Sequence, residues 1–222
     1  ADFLTDAEYE LLYHSLQQFQ HGEYSEGKNL MRYARQLNDP EYLNTIRIFI
    51  REEQTHARIL GKFMDLNDIP RAKSHWVDKV FRGLRRLSSL ENSITVLLTA
   101  EIIAAVFYKA LRDASHSFTL RAICKQILSD EEMHINFQAF TLKKFHDKKW
   151  GITKLFVNTG RRVLLSGTIL VVWLTNGRVL RAGNYTLPKF WKECFAEFNR
   201  AQSMIDGKKQ IAIRKMYNHL YV

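Results

Sequence analysis

One arrangement of residues occurs twice in this chain. Glu23 is followed by Glu53-x-x-His56, and 78 residues further on Glu101 is followed by Glu131-x-x-His134. In each copy the lone glutamate precedes the glutamate of the pair by 30 residues, so three residue types recur with no change of spacing. A Glu three residues before a His is common in helical proteins, because positions i and i+3 share a face. Repetition of the whole set is not common, and it asks for two similar units that each bring three side chains to one place.

The surrounding apolar residues specify helices. Leu12, Leu16, Phe19, Glu23, Gly27, Leu30 and Ala34 follow at steps of three or four, one face of an amphipathic helix, which points Glu23 inward. Asp39 before Pro40 reads as an N-cap with proline at the first helical position. The helix that starts there has Tyr42, Ile46, Phe49, Glu53, His56, Leu60 and Phe63 on its inner face and is expected to end near Asn67 to Pro70. The turn lies near the midpoint between Glu23 and Glu53, so an antiparallel pair brings the three polar residues level, roughly 20 Å from the turn.

The second copy repeats this with Leu90, Ile94, Leu97, Glu101, Ala104 and Tyr108, then Ile123, Ile127, Glu131, His134 and Gln138, and Ser117 as N-cap. Two hairpins predict an all-α four-helix bundle over about residues 5–146. A crossover at residues 68–88, carrying Trp76, Val77, Val80 and Phe81, is expected to pack on it. Residues 1–222 are read as a single domain, with a C-terminal helical extension over about 150–222.

Four carboxylates and two imidazoles facing a helical core are unfavourable with nothing to bind, since buried charges need partners and crowded carboxylates retain protons. A pair of divalent cations resolves both problems. Oxygen and imidazole ligands without thiolate suit iron or manganese better than structural zinc. The expected cofactor is therefore two Fe ions, with manganese or a mixed Mn/Fe pair as the alternatives.

This ligand set resembles that of the ferritin-like superfamily of di-iron carboxylate proteins, which includes rubrerythrins, demethoxyubiquinone hydroxylases and aldehyde-deformylating oxygenases. The resemblance covers about residues 5–146 and rests on Glu23, Glu53, His56, Glu101, Glu131 and His134. It implies a ferritin-like fold, Glu23 and His56 as terminal ligands of one metal, Glu101 and His134 as those of the other, and Glu53 and Glu131 as bridges. Residues Asp130 to Phe137 look most like the aldehyde-deformylating oxygenases, whereas Gly22-Glu23-Tyr24 is similar to the demethoxyubiquinone hydroxylases. The paired Cys-x-x-Cys motifs of a complete rubrerythrin are missing, and the tail past residue 150 departs from a minimal bacterioferritin.

The functional expectation is an oxidoreductase that uses O2 as co-substrate on a hydrophobic small molecule, with electrons from an external donor. The same ligands also suit a ferroxidase, a peroxide reductase or an iron-handling protein, and a third reading is a non-enzymatic bundle. Glu26 and Tyr108 are candidates to support the ligands from behind. Glu52 and Glu132 adjoin them in sequence but lack the three-residue offset to histidine and are set aside.

Two cysteines, Cys124 and Cys194, make no disulfide framework and suit a reducing, cytoplasmic setting. Cys124 is read as a small buried hydrophobe, with a redox role as the alternative. The apolar run from Val163 to Leu174 is too short by itself to span a bilayer, which needs about 20 residues. It is read as a further helix buried on the bundle, or, with its basic flanks, Trp150 and Trp173, as a surface resting on a membrane. A helix at residues 187–206 carries aromatics that either pack the core or wall a channel. The net charge of +10 suggests anionic partners, but the basic residues are dispersed and nucleic acid is not expected. A homodimer is a further option.

Overall fold

A computed structural model describes residues 3–24, 28–72 and 89–208. Those residues form helices joined by short turns and contain no strand. In chain order the helices are α1 (Asp6–Tyr24), α2 (Lys28–Gln36), α3 (Pro40–Leu66), α4 (Leu90–Ala114), α5 (Phe118–His146), α6 (Gly151–Ala182) and α7 (Leu187–Ile205). The all-α expectation therefore holds.

Local chemistry sets the helix starts. Thr5 and Glu8 form a reciprocal cap on α1: the Glu8 N–H donates to Thr5 Oγ1 at 3.3 Å and the Thr5 N–H donates to Glu8 Oε2 at 3.0 Å. Asp39 caps α3 by accepting from the Tyr42 N–H at 2.9 Å, with Pro40 at the first position, and Ser117 caps α5 through the Leu120 N–H at 3.1 Å. Asn38, at the turn into α3, has a φ of 50°, the left-handed region that asparagine tolerates.

The helix directions follow from contacts at the ends. Leu4 N–H donates to Asn67 Oδ1 at 2.8 Å, so the end of α3 lies beside the start of α1. Glu8 accepts from the His116 N–H at 2.7 Å, so the end of α4 lies there too. Helices α3 and α4 therefore run in the same direction, opposite to α1 and α5. The chain ends that residues 67–89 connect stand at opposite ends of the bundle, about 37 Å apart for a helix of this length. Trp76, Val77, Val80 and Phe81 of the expected crossover lie outside the described residues, as do Glu26 and Gly27.

The expected inner faces are buried with few exceptions: Phe19, Ala104 and Ile123 are partly exposed. The stripe on α5 is Leu120, Cys124, Ile127, Glu131, His134 and Gln138, all buried, which puts Cys124 on the stripe and Ile123 beside it. Both cysteines are buried and unpaired. Burial pushes the Cys124 thiol up to about 12, which leaves it a packing residue without thiolate character.

Helix α6 packs along α4 and touches α1 and α7, while α7 packs on α5 and α4. Arg161 meets Glu91 at the start of α4, at 3.6 Å, and a Cβ on Gly183 would collide with the Ala110 carbonyl near its end. Thus α6 runs parallel to α4, with its stretch from about Val171 to Leu174 level with Glu101. In α7, Phe190, Cys194 and Phe198 are buried, so these residues pack the core.

The expectation that the segment around Val163 to Leu174 falls short of a membrane span needs correction. Ser166, Gly167 and Thr168 interrupt the apolar run without interrupting the helix, and α6 continues for 32 residues. Both α4 and α6 are long and apolar enough to cross a membrane, a condition that core helices also meet. Most of α4 is buried in the core, whereas less than half of the apolar stretch of α6 is.

Candidate metal centre

All six repeated residues meet in the middle of the bundle. Glu23 on α1, Glu53 and His56 on α3, Glu101 on α4, and Glu131 and His134 on α5 are each at most 7 % exposed. They fall into two overlapping groups, Glu23, Glu53, His56 and Glu131, and Glu53, Glu101, Glu131 and His134. Within each group one donor atom per residue lies within 4.8 Å of every other. Glu53 and Glu131 belong to both groups.

The spacing suits shared ions. Donor atoms about 2.1 Å from one metal stand roughly 3–4 Å from each other. His56 Nδ1 lies 3.7 Å from Glu23 Oε2 and 3.7 Å from Glu53 Oε1. His134 Nδ1 lies 3.1 Å from Glu53 Oε1, 3.7 Å from Glu131 Oε2 and 3.9 Å from Glu101 Oε2. Both Nδ1 atoms, Glu53 Oε1 and both Glu131 oxygens are buried with no hydrogen-bond partner. Buried polar atoms left in this state are strongly unfavourable, and a cation held where so many of them face one point could satisfy them.

Each imidazole is oriented from behind by the opposite hairpin. His56 Nε2 lies 2.9 Å from Asp130 Oδ2 on α5, and His134 Nε2 lies 3.0 Å from Glu52 Oε2 on α3. A carboxylate accepts, so Nε2 carries a proton and Nδ1 faces the centre, where displacing its own proton would free a lone pair for a metal. Sequence reasoning missed Asp130 and set Glu52 aside, because only inward ligands were sought. The signal was present: each pair is preceded by an acid, Glu52-Glu53 and Asp130-Glu131, at the same 78-residue offset. Glu132 is exposed and takes no part.

The lone glutamates are held differently. Tyr108 donates its hydroxyl to Glu23 Oε1 at 2.5 Å, reaching from α4 across to α1. Gln138 donates Nε2–H to Glu101 Oε1 at 2.9 Å. The first copy has leucines, Leu30 and Leu60, at the positions 78 residues before Tyr108 and Gln138, so both donors come from the second hairpin. Phe49 closes the centre with its ring against His134, centroids 4.7 Å apart.

With protons as the only cations the centre is electrostatically crowded. Burial, then the charges of Glu23 and Glu101, holds Glu53 well above the usual carboxylate range, and burial with Glu131 does the same to Glu101. Burial also raises Glu131. Burial alone would raise Glu23, but pairing with His56 outweighs it and holds Glu23 low. For His56 the opposing effect of burial is overcome by Asp130 and Glu23, which push it up to about 11; His134 is raised in the same way by Glu131, Glu52 and Glu53.

No family model, curated protein or solved structure matches this chain. The centre therefore has to be read from its own geometry. The buried carboxylate and histidine cluster can hold a metal ion, and its two overlapping groups provide for two.

Proposed function

We propose that this protein is a di-iron oxidoreductase that activates O2 to oxidise a hydrophobic small molecule, built on a ferritin-like bundle. The observation that carries the reading is the membership of Glu53 and Glu131 in both ligand groups, which would let each of them hold both ions of a pair. Glu23 with His56 would then complete one ion's ligands, and Glu101 with His134 the other's. The fold reading is supported by the helix directions: α3 and α4 run the same way and need the long connection that ferritin-like topology has. Manganese, alone or paired with iron, suits the same donors.

Bound iron supplies the electron transfer that lets O2 react. The chain's own part is to hold and exclude. Asp130 and Glu52 keep both Nδ1 lone pairs turned inward, and Tyr108 and Gln138 fix the lone glutamates. The apolar residues around the six ligands keep bulk water out, which strengthens every charge interaction inside. Placing one atom of O2 in a substrate and reducing the other to water consumes two electrons and two protons. The electrons are assigned to an external donor.

Iron loading in air followed by metal analysis and O2 measurement tests this. Two irons per chain, with O2 consumption that depends on added reductant, supports the proposal. Many irons per chain would move the assignment to iron storage, and failure to take up iron or manganese would leave a non-enzymatic bundle.

A further inference from the structure

The outward face of α6 is apolar over most of its length. Trp150, just before the helix, is 85 % exposed, and Ile152, Leu155 and Phe156 in its first turns are each at least 65 % exposed. Val163, Leu170 and Leu174 continue the same side. Ile152, Phe156, Thr159 and Val163 follow at steps of four, three and four, and Leu170 and Leu174 fall back in line, so these residues form one stripe of about 33 Å.

The opposite face is committed to the bundle. Leu165, Ile169 and Val172 are buried there. Buried Asn176 accepts from the Ser15 hydroxyl at 2.7 Å and donates to Gln18 Oε1 at 3.0 Å. Buried Arg161 faces Glu91. A helix fixed along one side in this way has only its outer side free for a further contact.

Charge identifies that contact. From Lys148 to Lys192 the chain has nine Lys and Arg and no Asp or Glu. Among these, Lys148, Arg178 and Arg181 are exposed beside or at the ends of the stripe. A symmetric contact between two copies would set this patch against itself, like charge against like. An anionic bilayer offers both what the stripe lacks, an apolar interior, and what its rim attracts, negative headgroups.

We infer that α6 is a membrane-docking helix that lies in the plane of an anionic lipid surface with Trp150, Leu155 and Phe156 inserted. The inference is independent of the metal centre. Flotation of the full-length protein with vesicles tests it, comparing phosphatidylcholine alone with phosphatidylcholine mixed with phosphatidylglycerol. The protein is expected to float with the mixed vesicles only, and less as salt rises. The tryptophan emission lost in Trp150→Phe is expected to be quenched by brominated acyl chains. The double variant Leu155→Glu, Phe156→Glu is expected to lower vesicle binding at least tenfold. Because both side chains face outward, its melting temperature and metal content should match the unsubstituted protein. Absence of flotation with either vesicle, or equal flotation of the double variant, overturns the inference. So does a dimer that becomes a monomer in the double variant, which would make a second copy the occupant.

Discussion

The centre of the bundle and the outer face of α6 break the usual partition of residues in opposite directions. One buries four carboxylates and two imidazoles, and the other turns a tryptophan, a phenylalanine and several aliphatic side chains outward. Each marks a place where something other than the chain completes the structure. The manner of completion differs. A cation pair acts through a few donor atoms at fixed distances, so the centre should respond to single-atom changes. A lipid surface acts through area and summed charge, so the face should respond by degrees and leave folding untouched.

Acidity should separate the two regions most strongly. Between about pH 5 and pH 8 an unfolded chain has released the protons of its glutamates and then its histidines, whose ordinary values are about 4.3 and 6.5. The folded metal-free centre retains protons on Glu53 and Glu101, raised by burial, and on His56, raised to about 11. Glu23 and Asp130 are held low and are ionised in both states across this window, so they contribute nothing there. The folded form binds more protons, and metal-free stability falls as pH rises. Metal has to displace those protons, so its affinity should rise about tenfold per pH unit for each one displaced. Calorimetric melting with and without chelator should show a gap that widens from about pH 5 to pH 8. A constant gap would mean that the centre is not protonated. Vesicle binding should change little over the same range.

The next effect concerns the bridge. Both oxygens of Glu131 are buried without a hydrogen-bond partner, and His134 keeps Glu52 and Glu53 when Glu131 is removed, so Glu131→Met should leave the metal-free protein at least as stable while ending two-metal occupancy. Denaturant melts of the chelated proteins check this. A less stable metal-free variant would make Glu131 a structural group and weaken the contrast with α6.

The sequence made one of these regions far more legible than the other. Invariant spacing, caps at Asp39 and Ser117, and apolar steps of three and four were enough to place all six inward residues. Asp130 and Glu52 were harder, because orienting a ligand from the opposite hairpin depends on how two helices are set against each other. Tyr108 and Gln138 were on the expected inner stripes, but which glutamate each would hold was not decidable before packing. The α6 face was obscured for a different reason. The apolar run counted from Val163 to Leu174 lies well inside a helix of 32 residues that extends beyond it on both sides, and hydrophobicity alone does not say which side the bundle covers.

Removing the orienting acids should have a smaller effect than removing a bridge. Asp130→Ala and Glu52→Ala free the Nε2–H of His56 and of His134 respectively, and each should weaken metal binding about 10–100-fold. Titration with a competing chelator measures this. Similar losses in both variants would support two equivalent half-sites. A much larger loss in Asp130→Ala would instead assign more of the affinity to the half that also carries the Tyr108 contact to Glu23. Either result sharpens what the repeat does, whereas no loss in either would remove the orienting role.

The smallest effect tests whether the two regions are separable at all. Asn176 ties α6 to α1 through Ser15 and Gln18, and Asn176→Ala leaves the buried Ser15 hydroxyl without that partner. The expected loss is roughly 1–2 kcal/mol of stability, read from denaturant melts, with two metals still bound and vesicle binding retained. That outcome follows if α6 is held to the bundle by local bonds while the six ligands are held by the four central helices. If metal is lost with Asn176, the seating of α6 against α1 and α4 supports Glu23 and Glu101 from outside. The contrast between centre and face would then describe two sides of one packed unit.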